Sequence, residues 1–138
     1  MPGSPDRASV ARRWIAKAEG DLYAADLLLA QGIEGPPWIV AFHAQQGAEK
    51  YLKCLLSWES IPFPRVHDIG ELVELLPPSK RPDLPIPLLS ALSEHAVASR
   101  YPGDVEPDLE AARQSVAAAR AIREFVRKLL PPEALQGS

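Results

Sequence analysis

With Cys54 its only cysteine, the 138-residue chain can form no internal disulfide, which suits a reducing cytosol. No apolar run is long enough to cross a bilayer, and no charged-then-apolar leader opens the chain. The expectation is a cytoplasmic protein with no membrane contact. A strong charge of one sign is also missing. Fifteen Lys and Arg against 18 Asp and Glu leave a formal charge of −3, too little to draw RNA or an anionic membrane to the chain as a whole. No segment alternates with the period-two pattern of a half-buried strand, and no 20–50-residue repeat marks a solenoid. Gly-rich phosphate loop, paired-carboxylate metal site and nucleophile elbow are all absent. His43, His67 and His95 fall on three different elements, and Cys54 sits far along its helix from His43. That is not the spacing zinc requires, so neither a metal nor a cofactor is expected.

What the chain does have is 46% hydrophobic and 24% charged residues, the composition of an ordinary soluble globule. Its length suits one domain with one core. The domain is expected to span 1–138, with an ordered part from about 9 to 130 and tails at 1–8 and 131–138. The stretch Trp38 to Trp58 organises the rest. It holds no proline, and its one glycine, Gly47, costs about 1 kcal/mol against alanine without stopping so long a helix. Ala41, Ala44, Ala48, Tyr51, Leu52 and Leu55 recur at threes and fours and share one helical face. Phe42, Gln46, Glu49, Lys53 and Leu56 form a second line beside it.

In chain order, Ser9 is placed to cap a first helix reaching about Gln31, on which Ile15, Ala18, Leu22, Ala25 and Leu29 make a heptad-like seam. The turn Gly35-Pro36-Pro37 is short enough to make the first two helices an antiparallel hairpin. After a proline-stiffened loop from Ile61 to Val66, Asp68 and Glu71 resemble a cap for a short helix, Ile69 to Leu76. A fourth helix is expected from about Ile86 to Ser99, then a loop from Arg100 to Glu106. Pro107 suits an early position of the last helix, which Pro131-Pro132 stops. The expected architecture is all-α, an up-down bundle of four long helices and one short one.

The residues FHAQQGAEKYLK, Phe42 to Lys53, resemble the aromatic-His-x-x-Gln-x-x-Glu-Lys-x-x-Lys signature of HEPN domains. His67-Asp68-Ile69, Arg100-Tyr101-Pro102 and an alanine- and arginine-rich last helix follow in the family's order. The resemblance runs from about Ala11 to Leu130 and implies a HEPN-like helical bundle. Many HEPN proteins are metal-independent RNA endonucleases carrying an Arg, four to six residues, then a His. Here Arg65 and His67 are separated by one residue, Arg81 and His95 lie too far apart, and no histidine follows Arg100. That motif is missing.

Each candidate has two readings. Phe42, Gln46 and Glu49 form either a dimer or partner surface or a solvated face, where Glu49 and Lys53 would be an ordinary i,i+4 pair. Lys50 lies to the side and is expected in solvent. His67 either reaches a ligand or bonds backbone and fixes its loop. Arg100 and Tyr101 either meet phosphate and a base or pair with an acid such as Glu49 and plug the core edge. Arg113, Arg120 and Arg127 make a basic stripe that reads as a solvated face sooner than an RNA contact. Lys53, His67, Arg100 and Tyr101 are expected to gather at one end of the bundle as the ligand or partner site. Together with the missing motif, the resemblance implies a non-catalytic HEPN module. It would be a homodimer that binds a nucleotide or pairs with a small nucleotidyltransferase in a toxin–antitoxin-like setting. The alternatives are an RNA endonuclease with a site assembled across a dimer, for instance from His67 and Arg100, and a purely structural dimer.

Overall fold

The computed structural model describes residues 6–31, 36–89, 92, 102–103 and 107–136. They form an all-α bundle, with no strand among the described residues. The long helices are α1 (Arg7–Leu29), α2 (Pro37–Trp58) and α5 (Leu109–Leu129). Between them lie the short α3 (Ile69–Leu75) and a 3₁₀ turn (Pro78–Lys80). Residues 86–89 and 92 are helical and are labelled α4, in line with the expected start of the fourth helix; its expected end lies outside the described residues.

α2 is the centre. Thirteen of its 22 residues are buried, against five of 23 in α1 and seven of 21 in α5, because α1, α3 and α5 all pack on it. The apolar set read from spacing is inside: Ala41, Ala44, Ala48, Tyr51, Leu52 and Leu55 are each at most 1% exposed. α1 runs antiparallel to α2, as the contacts of Arg7 with the Trp58 carbonyl, Cys54 with the Ala11 carbonyl and His43 with Asp21 require. Gly47 lets the two helices approach, since a Cβ there would stand 2.8 Å from Leu22 Cδ2 and 3.3 Å from the Ala18 carbonyl oxygen. α5 lies antiparallel to α1, with Arg123 on Glu19 and Arg120 on Asp26, so it runs parallel to α2.

Helix ends follow local chemistry, with corrections to the expected caps. Asp6, not Ser9, caps α1: its carboxylate accepts from the Ser9 amide at 2.6 Å, and an anion also suits the positive helix end. Asp68 caps α3 as expected, accepting from the Gly70 and Glu71 amides. Pro107 precedes α5 instead of entering it, and Asp108 is the cap. α2 closes with the Ile61 amide on the Leu56 carbonyl and the Ser60 amide on that of Ser57, a Schellman arrangement. Ser60 takes the left-handed position at φ 59°.

Past Leu130 the chain is not a tail. Pro132–Leu135 forms one more helical turn, α6, that packs on α1 with Ala134 fully buried. Arg12 donates to the Glu133 carbonyl at 2.7 Å and holds it there. Pro131 and Pro132 end α5 and begin α6, because a proline lacks the amide a helix interior needs but fits a first turn.

Candidate functional site

At the α2–α3 corner a carboxylate is buried among matched partners. Glu49 is 3% exposed, and its Oε2 takes the Lys53 ammonium at 3.2 Å, one helical turn on. Its Oε1 accepts from Gln45 Nε2 at 3.2 Å and lies 3.0 Å from His67 Nδ1. A carboxylate oxygen only accepts, so the ring proton facing it sits on Nδ1 and the other ring nitrogen is left to the outside. The His67 side chain is 71% exposed. Gln45 also donates to the His67 carbonyl at 2.8 Å and accepts from Gln46. The helix thus grips both ends of the residue that leads into α3. Lys53 has its ammonium 5.8 Å from the centre of the Phe63 ring, and Phe63 in turn packs edge-on against Trp14.

Why the charge can be buried is plain from this arrangement. An ionised carboxylate taken from water is costly unless paired and hydrogen-bonded. Glu49 has one cation and two further donors. The Asp68 cap and the apolar docking of Ile69 and Leu72, both fully buried, carry the 61–68 loop over it.

Of the expected site residues, Lys53 and His67 come together, and they do so through Glu49. Arg100 and Tyr101 lie outside the described residues, as does His95. Phe42 and Gln46 are half-buried on α2, with the Phe42 ring edge-on to the His43 ring. Glu49, grouped with them from spacing, faces inward. His67 meets a side chain with its ring and α2 with its carbonyl. Gln45 was missed, although it stands four residues before Glu49, the spacing of helix neighbours.

Lys50, expected in solvent, is half-buried and paired with Asp21, which also takes His43 Nδ1 at 2.9 Å. Three of the four arginines of α5 are tied to other helices as well. Arg123 grips Glu19 with two nitrogens, at 3.0 and 3.1 Å. Arg120 pairs with Asp26, Arg113 approaches Glu110, and Arg127 donates to the Tyr51 hydroxyl at 3.3 Å. Burial alone would raise the Glu19 carboxyl, but hydrogen bonds from Arg123 and Tyr51 and the charges of Arg123 and Arg127 outweigh it and hold it below its ordinary range. Burial pushes the Tyr51 phenol up to about 12. Cys54 is also buried, and its thiol is pushed up to about 12, so it is no nucleophile at neutral pH. Among the described residues no three His, Cys, Asp or Glu side chains are grouped to hold a metal ion, and no helix is long and apolar enough to cross a membrane.

Comparison with known proteins places this geometry. Among solved structures, TT1696 from Thermus thermophilus is similar with a TM-score of 0.71 at 28% identity, covering 87% of this chain and 98% of that one. ST0689, an archaeal HEPN homologue, is similar in fold with a TM-score of 0.61 at 24% identity, covering 86% and 96%. No curated relative matches. The HEPN domain family matches residues 11–129, which runs from Ala11 in α1 to the end of α5 and takes in the whole Glu49 corner. The chain belongs to the HEPN domain family.

Proposed function

We propose that the chain is a non-catalytic recognition module that pairs with a nucleotidyltransferase-type protein in a toxin–antitoxin-like arrangement. In this reading the Glu49–Lys53–His67 corner takes an acidic group, either a carboxylate of that partner or the phosphate of a nucleotide it carries. The observation that carries it is the exposed His67 ring, fixed through Nδ1 on a buried carboxylate. A ring anchored in this way meets a ligand without first losing rotamer freedom. In a ring that carries both protons the outer nitrogen is a donor to such an acidic group. The protein is a homodimer in this reading, held through α2 or a neighbouring helix.

The test is to mix the purified chain with the nucleotidyltransferase encoded nearest its gene, and separately to titrate it with ATP by calorimetry. The expected result is a complex or a binding isotherm that His67→Ala weakens at least tenfold while leaving the circular dichroism unchanged. Binding unaffected by His67→Ala would remove the corner from the reading.

One observation favours a second reading. A carboxylate behind an imidazole is also how a general base is oriented, so His67 on Glu49 would serve an RNA endonuclease. Incubation with RNA, with and without divalent metal, is expected to leave it intact. Cleavage that disappears in His67→Ala would replace the first reading with the second.

A further inference from the structure

α1 carries a second, mostly apolar line of residues opposite its buried one. Its inner seam, Ala11, Ile15, Ala18, Leu22 and Ala25, is buried. On the other side Arg13, Ala16, Gly20, Tyr23, Leu27 and Ala30 follow at alternating steps of three and four, and all are exposed. Tyr23 is 70% and Leu27 52% exposed. A Cβ built on Gly20 would meet nothing within 4 Å. A helix side that faces water is ordinarily polar. Residues repeated at three-four spacing form the seam by which one helix packs along another.

We propose that a second copy of the chain occupies this side, α1 against α1, antiparallel about a two-fold axis. The order of residue sizes selects the occupant and its direction. In an antiparallel pair each layer joins one seam position to its counterpart from the other helix. Setting Tyr23 against Gly20 of the second copy also sets Leu27 against Ala16 and Arg13 against Ala30. Every layer then joins a large residue to a small one, and the two-fold repeats each contact. A parallel pair would instead stack Tyr23 on Tyr23 and leave Gly20 facing Gly20, crowding one layer and hollowing the next.

The flanks agree. In the antiparallel register Lys17 falls near Ala24 of the second copy. The Glu19–Arg123 pair falls beside the second copy's Asp26–Arg120 pair, and each of the two facing carboxylates already carries its own arginine. A parallel register would bring Lys17 against Arg12, like charge against like.

The inference rests on the self-association in the reading above and gives it a surface. Sedimentation velocity of the full chain at tens of micromolar is expected to show a dimer that Tyr23→Glu with Leu27→Glu converts to a monomer of unchanged helix content. Phe42→Glu is expected to leave the dimer in place. A second variant, Ala16→Cys with Leu27→Cys, is expected to oxidise to a covalent dimer with each new cysteine bonded to the other position in the second copy. The two positions lie roughly 16 Å apart along one helix, too far for a bond within a chain. A dimer that survives the glutamate pair, or cross-links joining position 16 to 16, overturns the α1 surface and leaves self-association standing. A wild-type monomer overturns both. A monomer whose complex with the nucleotidyltransferase is lost in the glutamate pair assigns the face to that partner and overturns the second copy as its occupant.

Discussion

Glu49 and His67 sit 3.0 Å apart but carry opposite kinds of dependence on their surroundings. Glu49 is enclosed, so its charge is tolerable only while Lys53, Gln45 and His67 remain on it. Removing one member of a buried pair strands the other, at about 3 kcal/mol or more, whereas the intact pair contributes little net stability. Glu49→Gln should therefore lower the urea midpoint by an amount equivalent to about 3 kcal/mol, through the stranded Lys53 ammonium. His67→Ala removes a mostly exposed ring and should cost less than about 1 kcal/mol. A Glu49→Gln loss no larger than that of His67→Ala would mean the corner admits water and the carboxylate is not enclosed. Spacing alone brings Glu49 and Lys53 together on one turn. It cannot say whether that turn faces water, and so the sequence leaves Glu49 on a partner surface while the fold turns it inward.

Between elements, the contact that decides the architecture is α1 against α2, and Gly47 is where it is closest. Two effects oppose one another there. Alanine would favour the helix by about 1 kcal/mol over glycine. Its methyl would also stand 2.8 and 2.9 Å from Leu22 Cδ2 and Cγ and 3.3 Å from a backbone oxygen of Ala18. Leu22 is 3% exposed and has little room to turn away, and overpacking of this kind costs about 1 to 3 kcal/mol. The clash should win: Gly47→Ala is expected to destabilise the protein by about 1 kcal/mol, read from urea unfolding. A gain in stability would show that the helix pair opens at little cost. From the sequence Gly47 is only a weak helix residue; its use appears when the second helix is laid against it. The same holds for α6, whose prolines read as a stop because the α1 surface that receives them is remote in the chain.

At the scale of the whole molecule, α5 is fastened to α1 by ion pairs as well as by apolar packing, and this makes stability depend on pH. The Glu19 carboxyl is held below its ordinary value of 4.5. A depressed carboxyl contributes stability that is present above the unfolded value and lost as pH falls through the folded one. The thermal midpoint should thus drop as pH is lowered below about 4.5, and Glu19→Gln should flatten that acid limb. An acid limb of equal slope in the variant would place the sensitivity elsewhere. At the other end, Tyr51 and Cys54 are each raised to about 12. Their contribution is complete below the unfolded values and is lost as pH rises through 12, so alkali should unfold the bundle in that range.

Much of the fold was written locally. The apolar spacing of α2 and the Asp68 cap of α3 depend on residues within a turn or two of one another. The signature from Phe42 to Lys53, together with the pieces that follow it in order, indicated the family. Helix ends were less legible, because Asp6 and Ser9 are both capping residues three apart and only the formed helix shows which carries the side-chain bond. The pairings of Asp21 with His43 and Lys50, and of Glu19 with Arg123, were invisible. They join residues 22 to 104 positions apart, and periodicity records a residue's angle around its own axis but nothing about the neighbour it meets. Sequence by itself determined which long segments are helices and which sides of them turn to the core, since helix formation and apolar spacing are short-range properties of the backbone and side chain. Tertiary structure alone decided that Glu49 is enclosed, that Arg120 and Arg123 of α5 are spent on acids of α1, and that a second, mostly apolar side of α1 is left facing outward, because burial depends on what the rest of the chain places opposite.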